Sequence, residues 1–237
     1  MKRKVDLHIH SVLSACADRD NTILNIVRMS ALLKTDMIAI ADHNSARHCA
    51  AAKKAGKKYG VEVVPALEVT TSEDIHALCL FRDVSTAEEL GKILEESLPK
   101  YPLDLRLYAP QHVTDEQDRV LTEIPFLLNV ASRFGILELT EWVAEHGGIV
   151  IPAHADKMTN GIAAILGEIP EEAQFTTLEI TENCPERQKN EWAKKYRLIR
   201  SSDAHNLEQM CRTEFWLDLK ENTADALLDC LQKKKGE

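Results

Sequence analysis

Histidine, aspartate and glutamate recur near the ends of apolar runs in this chain of 237 residues. The first pair is His8 and His10, which alternate with Leu7 and Ile9 in the period-2 pattern of a strand. Residues two apart on a strand point to the same face, so both imidazoles can bind one divalent cation. For this motif alone, a pair of hydrogen-bonded core histidines is an equally good interpretation.

Three more apolar runs follow, at 37–41, 61–69 and 75–81, and each has ligand-type residues near one end. Their alternation with helical segments predicts βαβ units and a parallel sheet, whose functional side chains gather at the strand ends. The residues at these ends are Asp42, His43, Glu68 and His76.

Two later motifs, PAH at 152–154 and SSDAH at 201–205, also follow apolar runs, so that six of the nine histidines lie at predicted strand ends. Histidines scattered through a core would not separate in this way. Nitrogen and oxygen ligands without a thiolate suit Mn²⁺, Zn²⁺ or Fe²⁺. The candidate metal ligands are His8, His10, Asp18, His43, Glu68, His76, His154, Asp203 and His205.

Nine ligands exceed the needs of one ion, so we expect two or three divalent ions that share Glu68 or Asp203 as a bridge. The alternative for the whole set is a collection of helix caps and core hydrogen bonds without metal. Asp18 lies in the loop after the first strand, where Asp20 is a rival ligand.

The remaining elements follow from hydrophobic periodicity and end signals. Residues 99–125 are irregular and rich in proline, which predicts a small ordered insertion or a lid rather than a structureless loop. We expect helices at 23–33 after a Thr22 cap, from Ser45 to Gly60, at 85–98, at 137–146, up to Tyr196 and from Thr223 to Lys235, and short strands at 149–151, 177–180, 198–199 and 215–219.

Composition limits the classes of partner. The chain has 44% hydrophobic and 28% charged residues and no apolar run of the roughly 18 residues that a membrane span needs. It begins Met1-Lys2-Arg3-Lys4 without a signal-like apolar region, so we expect a cytoplasmic protein with no membrane partner. A net charge of −9 argues against binding long duplex nucleic acid but permits a short phosphorylated substrate beside cations. The six cysteines lack CxxC spacing, so neither a zinc knuckle nor a disulfide framework is indicated.

The order of these motifs resembles that of the PHP (polymerase and histidinol phosphatase) family. The resemblance extends from residue 6 to residue 205 and implies a distorted (β/α)₇ barrel, formed by residues 1–237 as one domain, with a two- or three-metal site and phosphoesterase activity. The matching motifs are DLHIHS at 6–11, ADHN at 41–44, Glu68 in LEVT, His76, PAH at 152–154 and SSDAH at 201–205.

The resemblance also implies how the ligands divide. His8, His10, Glu68 and Asp203 would form one metal site, Glu68, His76 and His154 a second, and Asp18, His43 and His205 a third. The third assignment departs from the family pattern, which often has Ser-Asp-Gly where this chain has the longer sequence Ser-Ala-Cys-Ala-Asp-Arg-Asp at 14–20.

From these features we expect a hydrolase in which a hydroxide shared by the metal ions attacks a phosphate ester. Asp203 would orient this hydroxide, and Asp42 would fix a ligand imidazole. Lys157 and Arg187 are candidates to hold a substrate phosphate, and plain surface residues otherwise.

The first substrate class is a nucleotide or short oligonucleotide, which the resemblance implies, and the second is histidinol phosphate. A metal-assisted amide hydrolase is a third enzymatic alternative, although no strand-end lysine is placed to bridge metals as a carbamate. The alternative outside enzymes is a non-catalytic metal-binding module or a scaffold for a partner.

Overall fold

A computed structural model describes residues 1–211 and 214–234 of the chain, which have a mixed α/β fold. The strands are β1 (Lys2–Ile9), β2 (Met37–Ile40), β3 (Glu62–Val63), β4 (Ala66–Thr70), β5 (His76–Leu80), β6 (Gln111–Thr114), β7 (Val120–Ile124), β8 (Ile149–Pro152), β9 (Thr177–Glu179), β10 (Arg197–Ile199) and β11 (Phe215–Asp218). The α-helices are α1 (Ile23–Leu32), α2 (Cys49–Tyr59), α3 (Val84–Ser97), α4 (Ile136–Glu145), α5 (Ile162–Leu166), α6 (Glu186–Trp192) and α7 (Ala224–Leu231).

Local signals in the sequence account for several of these boundaries. The Thr22 hydroxyl accepts a hydrogen bond from the backbone N–H of Asn25 and caps α1 as expected, and Gly60 ends α2 with a φ of 73°. Helix α2 begins at Cys49 rather than at Ser45, whose hydroxyl donates instead to Glu95 Oε1 at 2.6 Å. The last helix ends at Leu231, and the predicted end at Lys235 lies outside the described residues.

The strands form four separate sheets. One contains β11, β1, β2 and β3, with parallel pairing along β1–β2–β3, and a second contains β9 and β10, which are also parallel. In the first sheet β11 runs antiparallel to β1, and in the third β5 runs antiparallel to both β4 and β8. The expectation of a parallel sheet is wrong for these pairs. Within residues 1–211 and 214–234 the hydrogen-bonded strands do not close into one barrel.

Pro65 divides the predicted third strand in two. The residues before it, β3, pair with β2, whereas the residues after it, β4, pair with β5 in another sheet. A proline lacks the N–H that would continue the ladder, and here it marks the change of sheet. The isolated parallel bridges of His43 with Glu68 and of Ile9 with Ala204 connect the ends of neighbouring sheets.

The segment at 99–125 contains an ordered antiparallel hairpin of β6 and β7. Its inner face packs into a small apolar cluster formed by Leu13, Leu98, Val113, Ile124 and Leu128. No helix in the described part of the chain is long and apolar enough to cross a membrane.

Asn44 joins the end of β2 to the chain that follows this hairpin. Its backbone has a φ of 48°, a conformation that asparagine tolerates better than most residues, and its side chain is fully buried. The Nδ2 group donates to the carbonyl oxygens of Leu128 at 2.6 Å and Val130 at 2.9 Å, while Oδ1 accepts from the N–H of Thr70 at 3.2 Å. One amide therefore fixes three backbone groups beside the strand ends.

We expect Asn44→Ala to lower the free energy of unfolding by about 2–3 kcal/mol, because it leaves buried backbone groups without partners. Denaturant unfolding measures the change. Asn190→Ala, at an exposed position of α6, is the control and should alter stability by less than about 0.5 kcal/mol. Equal stability of the two variants would contradict this role of Asn44.

Candidate metal centre

A single buried carboxylate, that of Glu68 on β4, lies at the centre of five imidazole rings. The side chain of Glu68 is 1% exposed. The nearest nitrogens to Oε1 are His76 Nδ1 at 2.9 Å, His8 Nε2 at 3.3 Å and His154 Nε2 at 3.3 Å, and the nearest to Oε2 are His43 Nδ1 at 3.0 Å and His10 Nε2 at 3.4 Å.

The strands place these rings by their register. Alternation along β1 turns His8 and His10 to the same face, and the bridge between His43 and Glu68 joins the end of β2 to the middle of β4. The antiparallel β4–β5 pair sets His76 opposite Thr70, two residues from Glu68 and on the same face.

Asp203 approaches the cluster from the loop after β10. Its Oδ1 lies 3.4 Å from His10 Nε2 and 3.7 Å from His8 Nε2, and its Oδ2 lies 2.6 Å from Lys157 Nζ. The loop is held by Asp6, whose Oδ1 accepts from the N–H of Ser202 at 2.9 Å. Asp203 has a φ of 48°, which few residues other than glycine adopt and which aims its carboxylate at the imidazoles.

Glu179, at the end of β9, belongs to the site although the sequence analysis did not select it. Its Oε2 lies 3.0 Å from His8 Nδ1 and accepts a 3.0 Å hydrogen bond from the N–H of His154. A carboxylate on Nδ1 fixes the tautomer of His8 and turns Nε2 towards Glu68. The available signal was the same as for the other residues, a ligand-type side chain that ends a short apolar strand.

Asp42 is buried beside the cluster and reaches a ligand imidazole only through a serine. It accepts hydrogen bonds of 2.7 Å from the hydroxyls of Ser11 and Ser14, and Ser14 Oγ lies 3.3 Å from His10 Nδ1. Burial would raise the pKa of Asp42, but His48 and the serine hydroxyls lower it to about 2. Asp42 is therefore a permanent anion that orients His10 through the hydroxyl of Ser14.

The electrostatics of the metal-free cluster differ from ring to ring. Burial would lower the pKa of His8, but the neighbouring carboxylates, Glu179 first, raise it well above its usual value. Burial and the adjacent His43 lower the pKa of His10 to about 4. Burial would raise the pKa of Glu68, yet the histidines hold it well below its usual range. The carboxylates are thus charged, and a proton on His8 partly balances them.

The side chains fit a set of divalent ions. Four buried polar atoms that face one another have no hydrogen-bond partner, namely His8 Nε2, His43 Nδ1 and both oxygens of Glu68. Such atoms are rare in proteins because each costs about 1–3 kcal/mol when left unsatisfied. Three groups have ligand atoms within 4.8 Å of one another: His8, His10 and Asp203; His43, Glu68 and His76; and His10, Cys16, His43 and His205.

Eight of the nine predicted ligands lie together in this cluster, seven of them in the groups above and His154 through its contact with Glu68, whereas Asp18 does not. Asp18 is exposed, and its Oδ1 accepts from the N–H of Asp20 at 3.1 Å. Among residues 1–211 and 214–234, neither aspartate belongs to a metal-sized group, whereas Cys16 does. The eight are His8, His10, His43, Glu68, His76, His154, Asp203 and His205.

The cluster opens into a small cavity of about 90 Å³, which Lys157 lines together with Thr159 and Asn160. A second cavity of about 340 Å³ adjoins it and is lined by Lys157, Thr181 and Ser202 among others. Lys157 is therefore placed to meet a ligand that enters either cavity. Arg187 is exposed on α6 and lines neither of them.

We expect Glu179→Gln to weaken divalent metal binding by about 10–100-fold, because the amide no longer fixes His8 as a strong ligand. Competition with a chelator of known affinity measures the change. Glu182→Gln, an exposed neighbour on the same side of the fold, is the control and should bind metal like the unaltered protein. Unchanged affinity in Glu179→Gln would rule out this role.

Metal binding should release protons at neutral pH. The raised pKa of His8 means that the metal-free ring holds a proton that a metal ion must displace, so the apparent affinity should fall as the pH is lowered from about 8 to about 6. Titration calorimetry in two buffers of different protonation enthalpy counts the released protons. The number should be smaller in Glu179→Gln, and a heat independent of buffer in the unaltered protein would contradict the assignment.

Comparison with known proteins places the fold. No protein-family model matches the chain. The uncharacterized protein MJ1587 of Methanocaldococcus jannaschii is 34% identical over 106 residues, which are 39% of this chain and 62% of that protein. The uncharacterized protein MJ0043 of the same organism is 28% identical over 154 residues, which are 65% of this chain and 16% of that protein. The aligned region is thus less than two thirds of either relative.

Solved structures resemble nearly the whole chain. The lesion-specific endonuclease PfuEndoQ of Pyrococcus furiosus has a TM-score of 0.72 and 16% identity, with 98% of this chain and 56% of that chain covered. Endonuclease Q in complex with a 27-mer duplex that carries an abasic lesion has a TM-score of 0.71 and 16% identity, over 98% of this chain and 57% of that chain.

Two further solved structures align with this chain over almost their whole length. A Bifidobacterium adolescentis protein assigned as a metal-dependent phosphoesterase has a TM-score of 0.60 and 17% identity, over 96% of this chain and 95% of that chain. An amidohydrolase of Chromobacterium violaceum with bound sulfate has a TM-score of 0.60 and 17% identity, over 92% of this chain and 93% of that chain. The chain therefore shares the fold of these phosphoesterase, nuclease and amidohydrolase structures.

Proposed function

We propose that this protein is a metal-dependent phosphoesterase of the PHP type, which hydrolyses a phosphate ester of a nucleotide or short oligonucleotide. The observation that carries the proposal is the buried Glu68 carboxylate, whose oxygens have five imidazole nitrogens within 3.4 Å and no hydrogen-bond partner. This donor set suits Mn²⁺, Zn²⁺ or Fe²⁺.

Following the PHP family pattern, the ligands would divide into two sites that share Glu68. His8, His10, Glu68 and Asp203 would hold one ion, and Glu68, His76 and His154 a second. His43 and His205 belong to a third position. Bound ions would supply positive charge against the developing phosphate charge and an activated water for attack.

The residues between the cluster and the cavity can position the attacking water and the substrate phosphate. Asp203 has one oxygen towards His10 and the other towards Lys157, so it can hold the attacking water between the ligand cluster and the cavity. The Lys157 side chain is 41% exposed, and its ammonium group can move from Asp203 to a substrate phosphate. Asp42 supports His10 through Ser14, whereas Arg187 lines neither cavity and is assigned no role.

The finer architecture belongs to the same proposal. The distorted (β/α)₇ barrel that the motifs imply, with residues 99–125 as an insertion, is supported by the bridges of Ile9 with Ala204 and of His43 with Glu68, which connect separate sheets. The insertion hairpin packs against the loop after β1, since the N–H of His112 donates to the carbonyl of Val12 at 3.0 Å.

A second candidate substrate is damaged duplex DNA. The likeness to endonuclease Q, which covers 98% of this chain, favours it. The net charge of −9 favours a small substrate instead, because long duplexes are bound largely through cationic side chains on phosphates. This chain also matches only 56% of the endonuclease, so that protein's activity does not transfer as a whole.

The proposal is tested by comparing four substrates with the protein loaded with Mn²⁺ or Zn²⁺: a phosphate monoester, a phosphodiester, a short single-stranded oligonucleotide and a 27-mer duplex with an abasic site. We expect one of the first three to be hydrolysed fastest. His43→Ala and Asp203→Ala should lower turnover by at least about 100-fold, because each removes a group that contacts the ions or the water.

His112→Ala is the matched control, since His112 pairs with Glu123 on the hairpin and should be dispensable for turnover. Undiminished hydrolysis in Asp203→Ala would contradict the mechanism. Preference for the lesion duplex would select the second candidate. Hydrolysis of an amide but of no phosphate ester would select the amidohydrolase alternative, and bound metal without any turnover would favour a scaffold.

A further inference from the structure

The loop between β1 and α1 folds into consecutive tight turns that return to the metal cluster. The N–H of Ser14 donates to the carbonyl of Ser11, and that of Ala17 donates to the carbonyl of Ser14, both at 2.9 Å. The N–H of Asp18 donates to the carbonyl of His205 at 2.7 Å. This last bond fastens the backbone of Asp18 to the loop that carries His205, while its side chain remains exposed.

These turns bring Cys16, rather than an aspartate, to the cluster. Cys16 Sγ and one ring nitrogen each from His10, His43 and His205 lie within 4.8 Å of one another. The rings are close as well, since the His10 centroid is 4.6 Å from that of His43 and 4.5 Å from that of His205. A sulfur and three imidazoles at such distances form a donor set for one ion.

His43 connects this group with the Glu68 cluster, because it belongs to both sets of ligand atoms. His43 is 4% exposed, and its Nδ1 has no hydrogen-bond partner although it faces Glu68 Oε2, which also has none. Buried polar atoms without partners mark a site where a bound group is expected to satisfy them. Cys16 itself is exposed at the rim, so an ion from solvent can reach it.

We propose that the third metal position is a thiolate site, in which Cys16 binds the ion together with His43 and His205. The inference rests on the proposed metal-dependent function and deepens it. On binding, the thiol S–H releases its proton to solvent as the sulfur–metal bond forms. A soft sulfur ligand favours Zn²⁺ over Mn²⁺, whereas the two positions around Glu68 contain only nitrogen and oxygen. The third position and the two positions around Glu68 would therefore prefer different metal ions.

Cobalt provides a direct test, because Co²⁺ replaces Zn²⁺ and gives a near-ultraviolet charge-transfer band only when a thiolate binds it. The full chain is stripped of metal and titrated with Co²⁺ and, separately, with Zn²⁺. We expect the band in the unaltered protein. In Cys16→Ser the band should disappear, and Zn²⁺ binding at the third position should fall by more than about tenfold.

Three further variants keep the test decisive. Cys211→Ser changes another exposed cysteine and should retain the band, and Asp18→Asn should retain both the band and the number of bound ions. Cys16→Asp should bind as many ions as the unaltered protein without the band and with a stronger relative preference for Mn²⁺. This variant separates loss of a ligand from loss of folding.

The proposal is overturned if the unaltered protein shows no band at saturation, or if the band survives in Cys16→Ser. It is also overturned if Asp18→Asn, but not Cys16→Ser, loses one bound ion. These readouts do not depend on turnover. Hydrolysis of phosphate esters without a cobalt–thiolate band would support the proposed function and contradict the Cys16 site. A band without hydrolysis would support the Cys16 site and contradict the proposed function.

Discussion

The carboxylate of Glu68 is almost completely buried, and an anion in such a place needs positive charge close by. In the metal-free protein, a proton on His8 supplies part of it, and bound cations would supply more. Because both carboxylate oxygens need a positively charged or hydrogen-bonding partner, side chains from several strands have to meet around Glu68. The register of β1, β4 and β5 and the breaks between the sheets all meet this single electrostatic requirement.

Anionic side chains around the cluster hold its imidazoles and loops in position. Glu179 contacts His8 directly, Asp42 contacts His10 through Ser14, and Asp6 holds the loop that presents Asp203. None of the three points at the centre of the cluster. Their common effect is to set the direction of a ring or a loop before any ligand is bound, so that little reorganisation is needed when one binds.

The candidate metal ligands are predictable from the sequence where strand geometry dictates their positions. Alternation along β1 and the placement of His43, His154 and His205 after apolar runs bring these residues together. Strand direction was not predictable, because an antiparallel β5 has the same apolar pattern as a parallel one. The choice between Asp18 and Cys16 depends on consecutive turns in an irregular loop. Glu179 has the same strand-end signal as the predicted ligands, but its strand is only three residues long.

The position of His48 has a consequence for the hairpin of β6 and β7. His48 Nε2 accepts from the N–H of Thr114 in the hairpin, and its Nδ1 lies 2.7 Å from Ser11 Oγ, which donates to Asp42. An unbroken series of hydrogen bonds thus connects the hairpin with the support of His10. Thermodynamic linkage makes any such coupling reciprocal. If bound ions stabilise the ordered hairpin, then a substrate that orders the hairpin increases the affinity for the ions by the same free energy.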